Sequence, residues 1–281
     1  MPRHLNIRSF LFTPADKPQL FEKAISSDAD LVIFDLEDAV AISNKEAARN
    51  NIKSYFSSKT KDKKLTGIRI NSLKTIAGLE DLLLLSGMET LPAALVLPKL
   101  ESHYELRIIN QLIPKIAEQT AVIGLIETAY ALANLADIVM PGFGLSALVL
   151  GAADLSSDLG CANTYDNLLV ARTQLITAAA SAGLEAIDSP FFDLKDPVAL
   201  ENETNKIASL GFTAKAAIHP AQLAVINHIF TPTGEQVKEA KEIIAMAQKG
   251  VGVLNGKMVD NAMAVKAKKV VAKAEFLNNK L

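Results

Sequence analysis

Glu127 and Asp154 each close an apolar run that reads as a buried strand, "AVIGLIE" (121–127) and "ALVLGAAD" (147–154). Two carboxylates at the ends of neighbouring strands, roughly 5 Å apart in a sheet, can meet on one cation. With water and substrate oxygens they would make a Mg²⁺ site, because Mg²⁺ keeps several waters and favours octahedral oxygen ligation. No His or Cys joins the pair, which argues against zinc. The alternative is that each acid caps the helix after it or pairs with a Lys or Arg, since helix N-termini attract acids. With Arg69 of "LTGIRIN" (65–71) facing both, a shared cation is the stronger reading.

Other polar residues end similar runs. Asp35, Glu37 and Asp38 close "DLVIFDLED" (30–38), Asn71 follows Arg69, and Lys99 ends "ALVLPK" (94–99). Asp188 and His219 stand in "LEAIDSP" (184–190) and "AKAAIHP" (214–220). A strand with period two points Asp35 and Glu37 the same way and Leu36 to the opposite face. Arg69 offers a planar fork for a carboxylate or a developing enolate oxygen. Its plainer use is to neutralise Asp35 or Glu37. His219 reads as a satisfied histidine that fixes its loop.

These residues need a scaffold that gathers strand ends. With "SFLFTP" (9–14), eight β-rich runs recur at fairly even spacing, most of them continuously apolar, as parallel strands covered on both faces are. Helix-like segments lie between them. Pro18 suits a first helical turn, Asn44 a cap, and Gly183 a helix end. Eight βα units predict a (β/α)₈ TIM barrel, α/β in class, over residues 1–230, with its polar residues on the catalytic face at the C-terminal ends of the strands. Residues 231–281 follow as a C-terminal helical extension: "TGEQVKEAKEIIAMAQKG" (233–250), a loop "VGVLNGKMVD" (251–260) and a helix from about 260 to 279. A barrel closes without this extension, which is therefore expected to pack elsewhere.

Composition agrees. In 281 residues 49% are hydrophobic and no Trp occurs, so the core must be aliphatic. A net charge of −2 gives no electrostatic case for nucleic acid. The single Cys161 excludes an internal disulfide and suits a reducing compartment. No signal-peptide core precedes the first strand and no run is long enough to span a bilayer, so a soluble cytoplasmic protein is expected, with no membrane partner.

Taken in order, "RSFLFTPADKPQLFEKA", "LVIFDLEDAV", "IRIN", "LVLPK", "GLIET", "GAADLSSDLG", "AIHPAQL" and "GKMVD" resemble the citrate lyase beta-subunit-like family, which includes malyl-CoA and citramalyl-CoA lyases. The similarity runs from residue 8 to 260. It implies a Mg²⁺-dependent barrel that cleaves a carbon–carbon bond in a 3-hydroxyacyl-CoA thioester, yielding a 2-oxo acid and acetyl-CoA. By motif match Glu127 and Asp154 would be the metal ligands, and Arg69 and Glu127 would contact substrate. Asp35 and Glu37, with Asp38, would order metal-bound water and the loops. Asp260 matches an acid that family members contribute from a neighbouring subunit, which implies a homotrimer or a multiple of one. Lys17 and Lys23 stand where relatives contact CoA, although a solvated helix face explains them equally. The sequence departs from the family at Ala15 and Lys17, where Gly and Arg are usual, and at Ser189-Pro190, in a loop that borders the acyl-CoA site.

Three other readings compete. One is a citryl-thioester lyase beta subunit acting on an acyl-carrier-protein-bound substrate. Another is a pyruvate-type aldolase, which needs neither a CoA groove nor Asp260. The third is a non-catalytic interaction protein on a barrel scaffold, since a fold alone never fixes function.

Overall fold

The computed structural model describes residues 5–58, 64–248, 252–254 and 257–278. Its first element, β1 (Ser9–Pro14), leads through a 3₁₀ turn opened by Pro18 into α1 (Phe21–Ile25). Next come β2 (Leu31–Asp35), α2 (Lys45–Ser58), β3 (Leu65–Arg69) and α3 (Ile76–Ser86). After β4 (Ala94–Leu97) the chain forms two short helices, α4 (His103–Leu112) and α5 (Pro114–Gln119). β5 (Ala121–Ile126) is likewise followed by α6 (Ala129–Ala133) and α7 (Leu135–Ile138). The remaining units are β6 (Leu145–Leu150) with α8 (Ala152–Asp158) and α9 (Leu169–Ser181), β7 (Glu185–Asp188) with α10 (Pro197–Leu210), and β8 (Ala214–Ala217) with α11 (Leu223–Phe230).

The eight strands pair in parallel, each with the next, and β8 pairs back to β1, so the barrel is closed as expected. Alternate residues fill its interior: Leu31 and Ile33, Ala94 and Val96, Ile123 and Leu125, Ala147 and Val149. That period of two decides what stands above the core. Continuing the inward series on β2, β3 and β5 brings Asp35, Arg69 and Glu127 to the top of the barrel. Gly67, one inward step below Arg69, has no room for more: a Cβ there would lie 2.6 Å from Ile33 Cδ1 and 2.7 Å from the Ala94 carbonyl oxygen.

Some elements differ from expectation. Asn44 does not cap α2; it ends a 3₁₀ turn, and its amide donates to Asp16 Oδ2 at 3.1 Å. Gly183 does follow α9 and takes a φ of 69°, which glycine adopts freely.

The chain divides into two compact units, Met1–Ile226 and Asn227–Leu281. The second is built on α12 (Gly234–Ala247) and α13 (Asn261–Asn278), which pack together and bury Ala240, Ala264 and Ala267. Thr233 and Gln236 form a capping box at the start of α12. Between the helices lies an antiparallel pair, β9 (Gly252–Leu254) and β10 (Lys257–Val259), where a plain loop was expected. Residues 249–251, 255–256 and 279 of the expected helices and loop lie outside the described residues. Among the described residues no helix is long and apolar enough to cross a membrane.

Candidate active site

β2 and β3 pair with Asp35 opposite Arg69, so the acid and the guanidinium meet at the barrel top. Arg69 donates from Nε to Asp35 Oδ1 at 2.7 Å and from Nη2 to Oδ2 at 2.6 Å, a bidentate pair with most of both side chains buried. Asp35 also accepts the backbone N–H of Glu37 (2.9 Å) and of Ala39 (3.2 Å), which pins the loop after β2. Glu37 thus lies beyond the strand rather than on it. Its Oε2 sits 2.8 Å from Arg69 Nη1 as an ion pair without an aligned hydrogen bond. Phe12 of β1 covers the guanidinium, with its ring centroid 4.8 Å away. Burial alone would lower the Arg69 pKa, but Asp35, Glu37 and Asp38 together hold it above the ordinary range. The ion-pair role foreseen for Arg69 is therefore present.

β5 and β6 are neighbours with Ile126 opposite Leu150. Glu127 follows β5 directly and is buried, while Asp154 lies in the first turn of α8 rather than at a strand end, with its carboxylate partly open. Gly151 makes the space: a Cβ there would meet Glu127 Cβ at 2.3 Å and Oε2 at 2.6 Å. Burial, then the nearby Glu37, pushes the Glu127 carboxyl up to about 7 against the pull of the Lys99 amide and Arg69. Glu37 is raised as well, by burial first, with Arg69 opposing and Asp38 adding to it. Lys99 reaches both sides of the cluster, its Nζ 3.2 Å from Glu37 Oε1 and 3.3 Å from Asp154 Oδ2.

Arg69, Glu127 and Asp154 share one cavity of ≈ 370 Å³ with Asp35 and Asp38, and its apolar lip includes Phe12, Pro190, Phe192 and Ile218. The donor set suits a hard divalent cation. Asp35, Glu37, Asp38, Glu127 and Asp154 outnumber Arg69 and Lys99, and the upward shifts of Glu37 and Glu127, caused first by burial, are increased by the neighbouring acids. Among the described residues no three His, Cys, Asp or Glu side chains form a metal cage. A cation held by Glu127 and Asp154 would complete its shell with water or substrate oxygens, the habit of Mg²⁺.

Other predicted residues lie elsewhere. Asp188 belongs to a buried cluster on the outer face of the strands, where Lys215 Nζ (2.7 Å) and Arg172 Nε (2.9 Å) meet it. Since Ile187 points inward, Asp188 must point toward the helices, and its neighbouring cations hold it below the usual carboxylate range despite complete burial. His219 accepts the Ala221 N–H at 3.2 Å in a capping box with Gln222, so its loop-fixing role is seen. Lys17 and Lys23 are exposed and do not line the cavity. Asp260 caps α13, its Oδ1 accepting the Met263 N–H at 3.0 Å. Sequence reasoning assigned no role to Gly151, Phe12 or Lys99; of these, Gly151 was signalled by its place between an apolar strand and a helix that begins with small residues.

A closed barrel with acids and an arginine in one cavity at the C-terminal ends of its strands has the form of a TIM-barrel enzyme site. The chain belongs to the HpcH/HpaI aldolase/citrate lyase family, whose model matches residues 8–220. It is 33% identical over 278 residues to a (3S)-malyl-CoA thioesterase of Cereibacter sphaeroides, covering 96% of this chain and 95% of the relative. It is 31% identical over 308 residues to an L-malyl-CoA/beta-methylmalyl-CoA lyase of Rhodobacter capsulatus, covering 98% and 96%. Among solved structures it resembles the protein CitE of Mycobacterium tuberculosis in complex with magnesium, acetoacetate and coenzyme A. The TM-score is 0.77 at 31% identity, with 95% of this chain and 97% of that one covered.

Proposed function

We propose that this protein is a cytoplasmic Mg²⁺-dependent carbon–carbon lyase that cleaves a 3-hydroxyacyl-CoA thioester of malyl-CoA or citramalyl-CoA type to a 2-oxo acid and acetyl-CoA. The observation that carries the reading is a single cavity uniting Glu127 and Asp154 with an arginine already oriented by Asp35. Glu127 and Asp154 would hold the ion, which when bound supplies a Lewis acid that acidifies and orients the substrate's hydroxyl. Loss of the hydroxyl proton turns the carbinol carbon into the ketone of the 2-oxo acid. The carbon–carbon bond breaks, and its electron pair passes to the thioester as an enolate, which takes up a proton to become the acetyl group. Arg69 stabilises that enolate oxygen as charge develops, without reorganising, because Asp35 fixes its Nε–Nη2 edge. Asp35 and Glu37 act by holding Arg69 and the β2 loop. The apolar lip excludes water from the enolate, and Lys17 and Lys23 offer cations to the CoA phosphates.

The test is a panel of malyl-, citramalyl- and citryl-thioesters assayed for 2-oxo acid with and without chelator. Metal-dependent release from the CoA substrates is expected; metal-independent release, or none, would overturn the reading. A second reading, thioester hydrolysis alone, is favoured by the similarity to a malyl-CoA thioesterase.

Residues 231–281 we assign to a homotrimer or a multiple of one, in which Asp260 of the partner subunit handles proton transfer. Mixing Asp260→Ala with Glu127→Gln, each inactive alone, is then expected to restore partial activity after subunit exchange. No recovery in mixed oligomers confirmed by mass spectrometry would show that Asp260 serves no neighbouring site.

A further inference from the structure

Lys99 stands two residues beyond the end of β4 with a φ of 49°. Among the described residues the only other non-glycine residue in the left-handed region is Asn6. Asparagine is tolerated there, whereas a lysine bears a steric cost that the surrounding structure must impose. The conformation turns both ends of the residue onto the acids. The backbone N–H donates to Glu127 Oε1 at 2.8 Å, while Nζ lies 3.2 Å from Glu37 Oε1 and 3.3 Å from Asp154 Oδ2. The residue thus grips the segment just after β5 through its amide and the start of α8 through its side chain, and the chemistry proposed above makes no use of it.

We propose that Lys99 is the positioning residue of the carboxylate cluster. Its amide fixes Glu127, and its ammonium is a resident counter-charge that holds Asp154 and Glu37 together and shares Asp154 with any divalent ion. The assignment rests on the reading of Glu127 and Asp154 as the cation's ligands. Its consequence is opposed effects. Without the ammonium the acids repel one another, so the metal-free protein loses stability and the geometry around the substrate slackens. The same loss leaves more uncompensated negative charge, so a divalent cation binds more tightly. A lysine that merely packs a loop would lower stability without strengthening the binding of metal.

Three variants separate the parts. Lys99→Met keeps length and removes charge, Lys99→Gly keeps the amide and relieves the left-handed backbone, and Lys99→Arg keeps the charge. Calorimetric titration with Mg²⁺ alone is expected to show binding about threefold tighter in the Met and Gly variants, the scale of a partly exposed ion pair. The Arg variant should stay near wild type. Turnover should fall in Met and Gly with little change in KM, since the loss is of ligand geometry and not of substrate contacts. A double-mutant cycle of Lys99→Met with Asp154→Asn, run in chelator by urea denaturation, should be non-additive, with Lys99→Met costing less once Asp154 is neutral. Unchanged or weaker Mg²⁺ binding in both the Met and Gly variants, or an additive cycle, would overturn the assignment. Should wild-type protein bind no Mg²⁺, the metal reading of the site fails, and the cycle, which contains no metal, decides the role of Lys99 alone.

Discussion

Glu127→Gln is expected to lose at least roughly a hundredfold in turnover along with most of its Mg²⁺ affinity, because an amide oxygen cannot supply the ligand charge on which Lewis-acid chemistry depends. Asp154→Asn should behave alike, and neither should unfold the protein. Glu127 carries a second signature in metal-free protein. Its carboxyl titrates at about 7 in the fold against 4.5 ordinarily, so between those values the native state binds the proton that the unfolded chain has released. Stability should therefore be full below about pH 4.5 and fall as pH rises through 7, by up to roughly 3 kcal/mol from this group. Glu127→Gln removes that decline and should be more stable than wild type at pH 8 in chelator. Urea denaturation at pH 5 and pH 8, with Mg²⁺ titration of both variants, checks each part. Unchanged metal binding in both would return these acids to helix capping and ion pairing.

Arg69→Lys is expected to cost at least roughly tenfold in kcat at saturating substrate. Lysine keeps the charge and loses the fork, so it cannot engage both oxygens of Asp35 and still present a donor to the cavity. Arg69→Met should do more, since it leaves Asp35 buried without its cation and Glu37 with Lys99 alone, at a stability cost of roughly 3–5 kcal/mol. Steady-state kinetics and thermal denaturation separate the two contributions. Near-normal turnover in the lysine variant would leave Arg69 a structural ion pair and nothing more.

The two arginine roles show what sequence could and could not convey. Strand identity was readable because β1 to β8 are apolar runs interrupted by turn residues, and β1 was placed at Ser9–Pro14 to the residue. Inward and outward faces were readable too, where the alternation was followed: Asp35 and Arg69 fall on the inward series. The same rule would have sent Asp188 outward, because its neighbour Ile187 belongs to the interior. Only its position near a strand end suggested the catalytic face. Asp154 stands out as the acid that closes an apolar run, yet it belongs to the next element, since "ALVLGAAD" passes from strand to helix at Gly151 without a change in hydrophobicity. The β9–β10 pair was missed because each strand has three residues, too few for a pattern, although Asn255-Gly256 is a hairpin signal. Lys99 was legible as a polar residue at the end of its strand, but its role was not. Its role depends on a backbone φ and on three acids from separate segments of the chain, and neither leaves a local trace.

The central claim is that a carbon–carbon bond, not the thioester, is what this cavity breaks. Malyl-CoA and citramalyl-CoA should be incubated with the Mg²⁺-loaded protein in ¹⁸O-labelled water and all products weighed by mass spectrometry. Acetyl-CoA should appear with an equal amount of glyoxylate or pyruvate, and at early times with no free CoA. Release of free CoA together with malate or citramalate carrying ¹⁸O in a carboxyl group, in place of a 2-oxo acid, would contradict the account.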